Sequence, residues 1–222
     1  MVEEPISLKL DIEMINYGGL HKHVKPIDET FELQAHDYMI LEDEDFKGKI
    51  IDVGCGPGIL MIYAKVNNPA LDITCMDGSI VNIGFARAIA QASKANIELI
   101  YGNAPKHIIE FPKYDTVVLN HIIEHNEDLD EFMDWVKNML TDNGTVFICV
   151  PYKDAHWSPG HVHFFDEEGK STIQSKTTTN IKGLLEQHFS TVEIKVFDEE
   201  KIDKRHPNKS RGQLDMFIKC KK

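Results

Sequence analysis

Asp52-Val53-Gly54-Cys55-Gly56-Pro57-Gly58 sets one carboxylate ahead of three glycines at alternate positions. Glycine lets backbone N–H groups approach a ligand with no side chain in the way. Pro57 suits the first turn of a helix, where its missing N–H would have had no intrahelical partner. Asp77 follows Gly58 by nineteen positions, close to the spacing at which an acidic residue meets a ribose in a nucleotide-binding βαβ unit. A carboxylate there can accept hydrogen bonds from two vicinal hydroxyls; its plainer alternative is a solvated loop residue or a helix cap. The dinucleotide fingerprint needs a third glycine at position 59, where this chain has Ile59, so a pyrophosphate site is disfavoured. Farther on, His121-Ile122-Ile123-Glu124-His125 and the loop residues His156, His161 and His163 supply imidazoles and a carboxylate. Those groups suit proton transfer near neutrality, or a transition metal.

Asp52, Gly54, Gly56 and Gly58 together resemble the first motif of class I S-adenosylmethionine-dependent methyltransferases. The resemblance implies that the turn, Cys55 included, faces the cofactor's amino-acid end, with Asp52 helping to hold the ammonium group. It implies that Asp77, with Gly78 and Ser79 after it, meets the ribose. Gly102-Asn103-Ala104 stands where the family commonly has Gly-Asp-Ala against adenine. The amide of Asn103 can still accept from the adenine amino group while donating to a ring nitrogen. Tyr114 to His125 resembles the fourth motif of the subgroup that includes ubiquinone-biosynthesis O-methyltransferases, which brings Asn120 and His121 to the cofactor. After the fifth strand the family often carries His-x-Arg-x-Phe; this chain has His161-Val162-His163-Phe164-Phe165, with the Arg replaced. His125 and His161 are the candidate catalytic residues. The run from His121 to His125 also looks like the Glu-x-x-Glu-His pattern by which small-RNA 3′-terminal and some ubiquinone-biosynthesis methyltransferases hold a divalent ion, with His121 for the first Glu and His161 as a fourth ligand. Many relatives carry a similar run with no metal, and the expected site includes no metal ligand.

The elements that must position these groups alternate. Strands are expected at Ile50–Val53, Leu71–Met76, Ile97–Tyr101, Tyr114–Leu119 and Thr145–Val150, each an apolar run bounded by turn residues. Helices fall between them: Ile59 to Val66, a segment opening at Ser79 as N-cap, and Leu129 to Leu140, which Asn143-Gly144 should stop. A helix over Thr179–His188 and strands at Thr191–Phe197 and Gln213–Lys219 would complete an α/β, Rossmann-like, seven-stranded, mostly parallel doubly wound sheet with an antiparallel last strand. The expected organisation is a single domain over 1–222. Residues 1–45 form an N-terminal helical cap (Glu29 to Leu41), 46–150 the cofactor-binding core, 151–176 the acceptor loop and 177–222 the completion of the sheet. The cap either covers the ligands or merely packs on the sheet edge.

The net charge is −12 over 222 residues, which disfavours a nucleic-acid partner because phosphate binding needs clustered Lys and Arg. The four cysteines, Cys55, Cys75, Cys149 and Cys220, lack C-x-x-C spacing and read as small buried hydrophobes in a reducing compartment. No apolar run approaches the roughly 20 residues of a membrane span, and the cytoplasm is the expected location. The expected function is methyl transfer from S-adenosylmethionine to an oxygen or nitrogen of a small-molecule acceptor. Two alternatives are a catalytically silent S-adenosylmethionine-binding or partner-binding module and, disfavoured by Ile59, an NAD-linked oxidoreductase. The acceptor and the oligomeric state are not legible.

Overall fold

The computed structural model describes residues 25–28, 31–103, 112–126, 128–152, 162–165, 178–198 and 214–222. A seven-stranded sheet runs through them in the order β3-β2-β1-β4-β5-β9-β8. The strands are β1 (Lys49–Val53), β2 (Asp72–Asp77), β3 (Glu98–Tyr101), β4 (Tyr114–Asn120), β5 (Leu140–Pro151), β8 (Thr191–Asp198) and β9 (Leu214–Lys221). All pairs from β3 to β5 are parallel, and β9 lies antiparallel to both neighbours. This is the expected doubly wound α/β fold.

Strand alternation explains the two layers. Ile51, Val53, Val117, Leu119, Val146, Ile148 and Val150 pack on one face against α4 (Leu129–Met139) and α5 (Ile181–His188). Ile50, Ile73, Val118, Phe147 and Cys149 pack on the other against α1 (Ala35–Leu41) and α2 (Ile59–Asn67). Because both faces are covered, these strands read as continuous apolar runs. The helix α3 (Ile80–Ala92) is capped by Ser79 as expected, its hydroxyl accepting from the Asn82 N–H at 3.3 Å. At the far end of α1, Lys219 reaches Asp43 at 2.7 Å and Asp45 at 2.8 Å, and Lys221 reaches Asp45 at 2.9 Å. These ion pairs tie the acidic segment before β1 to the antiparallel strand.

Several boundaries differ from expectation. The N-terminal helix begins at Ala35 rather than Glu29, because the Asp37 carboxylate accepts from the Gln34 N–H at 3.1 Å and caps the helix there. Asn143-Gly144 does not separate α4 from the next strand: β5 begins at Leu140, where pairing with Tyr114 overrides the local turn signal, and its register shifts before Thr145 meets Thr116. The segment after Pro151 contains regular structure, since β6 (His163–Phe165) pairs in parallel with β7 (Thr178–Asn180). The helix expected from Thr179 therefore starts at Ile181, with the Asn180 side chain accepting from the Gly183 N–H.

Candidate active site

The glycine turn leaves β1 and is tied at once to β2: the N–H groups of Gly54 and Cys55 both donate to the Met76 carbonyl, at 2.8 and 3.0 Å. Gly54, Gly56 and Gly58 have φ of 76°, 56° and 72°, the left-handed region where side chains are strained. Their surroundings differ. A Cβ on Gly54 would lie 2.6 Å from Ile122 Cδ1, so this glycine is needed for packing. A Cβ on Gly56 would meet no atom of the described residues within 4 Å. Space over Gly56 is therefore open for a ligand.

Asp77, buried at the carboxyl end of β2, holds this turn. One carboxylate oxygen accepts from the Gly56 N–H at 2.8 Å, and the other accepts from the Ser79 N–H at 2.7 Å and from the Asn82 amide at 3.2 Å. It is thus both a turn clamp and part of a helix start. Gly78 follows because the Asn103 carboxamide packs against it so closely that any Cβ would collide with Oδ1. Asn103 is described and lies beside this turn; Ala104 lies outside the described residues.

Opposite the turn stands α1, and between them is a cavity of about 420 Å³. Asp52, Gly54, Cys55 and Gly56 line one side; His36, Asp37, Asn120 and His121 line another. Asp52 is 3 % exposed, and its Oδ1 has no hydrogen-bond partner among the described residues. Burial, reinforced by the charges of Asp37 and Asp77, raises its pKa to about 8. Asp37 is raised too, by burial above all, with His36, the Gln34 backbone, His121 and Asn120 opposing. Asn120 donates through Nδ2 to Asp37 Oδ1 at 3.1 Å, fastening the end of β4 to α1, while its own Oδ1 has no hydrogen-bond partner among the described residues.

His121 has φ of 53°, uncommon for a residue with a side chain. Its N–H donates to the Cys149 carbonyl at 2.9 Å. Its Nδ1 lies 3.3 Å from Glu124 Oε1, its Nε2 lies 4.0 Å from Cys149 Sγ, and its ring meets that of His36 edge to face with centroids 5.2 Å apart. Strain of this kind concentrates where a side chain is aimed for a task.

The structure thus brings Asp52, the glycine turn, Asp77, Ser79, Asn120 and His121 around one end of the sheet. His125 is exposed and does not line the cavity, and His161 lies outside the described residues. Sequence reasoning missed His36 and Asp37, which come from a segment read only for its apolar face. The adjacent imidazole and carboxylate in a short amphipathic helix were the available signal. Cys149, read as a buried hydrophobe, is fully buried but stands beside His121.

The family model described as a methyltransferase domain matches residues 30–190. Over 150 residues the chain is 29 % identical to a release factor glutamine methyltransferase of Staphylococcus aureus, covering 68 % of this chain and 47 % of that protein. Over 118 residues it is 35 % identical to a ubiquinone biosynthesis O-methyltransferase of Rickettsia bellii, covering 53 % and 46 %. The chain spans about half the length of these curated relatives. Among solved structures, a precorrin-6y C5,15-methyltransferase from Geobacter metallireducens matches with a TM-score of 0.61 and 17 % identity, covering 90 % of this chain and 95 % of that one. No helix among the described residues is long and apolar enough to cross a membrane.

Proposed function

The chain belongs to the methyltransferase-domain family, a family of S-adenosylmethionine-dependent enzymes, and from that membership we propose that it transfers a methyl group to an oxygen or nitrogen of a small-molecule acceptor bound between the glycine turn and α1. The observation that carries this reading is the cavity itself. One of its sides is the open glycine turn with Asp52 Oδ1, which has no hydrogen-bond partner among the described residues, and another is a set of groups able to meet an acceptor. S-adenosylmethionine, when bound, supplies an electrophilic methyl group and carries positive charge. The described residues fit such a group: of the lining carboxylates, Asp37 and Asp52 are buried, and no Lys or Arg is among the described residues that line the cavity.

Asp52 meets the ammonium end in this reading, and Asp77 meets the ribose while keeping Gly56 and Ser79 in place. Asn103 with Ala104 is assigned to the adenine side. On the opposite wall, His36, Asp37 and His121 face the acceptor. An acceptor hydroxyl would give up its proton to this wall as its oxygen takes the methyl group and the sulfonium S–C bond breaks, releasing S-adenosylhomocysteine; a neutral amine would give up its proton after the same displacement. The protein's main contribution is alignment of the two reactants and exclusion of water. The covering position of α1 favours a small acceptor over an extended chain. The two curated relatives bear names that point to different acceptors, so neither acceptor passes to this chain.

The ionisation of Asp52 gives a pH test. An ammonium-bearing ligand favours the carboxylate, so below about pH 8 the group must lose a proton when such a ligand binds. Affinity for S-adenosylhomocysteine is therefore expected to rise with pH, by up to about tenfold per unit, and to level off above that value. Calorimetry between pH 6 and 9 in buffers of different ionisation enthalpy checks both the slope and the proton release. A pH-independent affinity removes Asp52 from the ammonium site. The activity itself is tested by transfer of a radiolabelled methyl group to fractionated cell metabolites. Labelled small molecules support the reading, and cofactor binding with no labelled product points instead to the silent module.

A further inference from the structure

We propose that His36, His121 and Cys149 bind one divalent transition-metal ion in the acceptor wall of the cavity. One ligand atom from each lies within 4.8 Å of the other two. In a tetrahedral zinc site the metal–nitrogen and metal–sulfur distances of about 2.0–2.3 Å bring ligand atoms to roughly 3.3–3.8 Å of each other. The observed 4.0 Å between His121 Nε2 and Cys149 Sγ is close to that spacing.

Three further observations point to a cation there. The second nitrogen of His121 lies 3.3 Å from Glu124 Oε1, and a metal-bound histidine ordinarily gives its other N–H to a carboxylate. Glu124 is 1 % exposed, and apart from this 3.3 Å approach of His121 neither oxygen has a hydrogen-bond partner among the described residues; a buried carboxyl group so poorly satisfied is costly. The positive φ of His121 aims its ring inward despite the strain.

His36 and His121 line the cavity while Cys149 lies behind them in β5, so the ion's remaining position faces the cavity, as in catalytic rather than structural sites. Two imidazoles and a thiolate select zinc or cobalt over magnesium or calcium. The use of this ion to bind an acceptor oxygen and lower its pKa rests on the methyl-transfer reading; the site itself does not.

Cobalt(II) titration of the chelator-stripped full chain tests the site. The expected result is one equivalent bound, with the visible bands of tetrahedral cobalt and a near-ultraviolet thiolate-to-cobalt band. That band should vanish in Cys149→Ser, and Glu124→Gln should bind about 10–100-fold more weakly. Circular dichroism establishes that each variant is folded. No cobalt uptake by the wild type overturns the proposal, as does a wild-type spectrum in folded Cys149→Ser. If that variant does not fold, unchanged cobalt affinity in both Glu124→Gln and His36→Ala overturns it. S-adenosylhomocysteine binding measured alongside separates the two claims. Cofactor binding without cobalt uptake sinks the metal site alone, whereas cobalt uptake without cofactor binding supports the metal site and sinks the methyl-transfer reading.

Discussion

His121→Ala is expected to lower kcat by about 10²–10⁴-fold, the range for losing a group that helps an acceptor hydroxyl give up its proton, here either as the base itself or as a ligand of the ion proposed above. Among the described residues that line the cavity, no other combines a positive φ with contacts to a buried carboxylate, a thiol and a second imidazole. Removing its ring opens the wall beside His36 and takes away the imidazole that lies 3.3 Å from the buried Glu124 carboxyl. The measurement is steady-state kinetics beside S-adenosylhomocysteine affinity. A loss confined to cofactor affinity, with kcat intact, would return His121 to the cofactor side of the cavity. His125→Ala makes the control, since His125 is exposed and outside the lining; it should change kcat far less.

Asp77→Ala should weaken S-adenosylhomocysteine binding by about 1.5–3 kcal/mol, the range for hydrogen bonds to a charged group. Two effects act in the same direction. The ribose loses its acceptor, and the glycine turn loses the carboxylate that fixes the Gly56 N–H and the start of α3. The second effect predicts some loss of thermal stability as well, because the Gly56 and Ser79 N–H groups lose a charged partner. Calorimetry and thermal unfolding of the same preparation separate the two. A variant that binds with wild-type affinity but melts earlier would leave Asp77 as a turn clamp only.

The parts of this site that are legible in the sequence are those written in short range. The glycine turn, Asp52 ahead of it, Asp77 after the second strand and the Ser79 cap each declare themselves within a few residues of the element they end or begin. What stays hidden depends on distance along the chain. Asp37 and Asn120 are 83 positions apart and meet only when α1 closes over the sheet. Cys149 reads as one more apolar residue of β5 because nothing near it in sequence announces His121. The start of β5 at Leu140 is concealed for a related reason: its pairing with Tyr114 outweighs the turn preference of Asn143-Gly144. The pairing of β6 with β7 involves three residues on each strand, too few for a period to show.

The central claim is that the glycine turn and the cavity beside it form an S-adenosylmethionine site rather than a dinucleotide site. Isothermal titration of the full chain with S-adenosylmethionine, S-adenosylhomocysteine and NAD tests it most directly. One-to-one binding of both sulfur ligands and none of NAD is expected, because Ile59 stands where the third dinucleotide glycine would be. Tight NAD binding with no response to either sulfur ligand would contradict it.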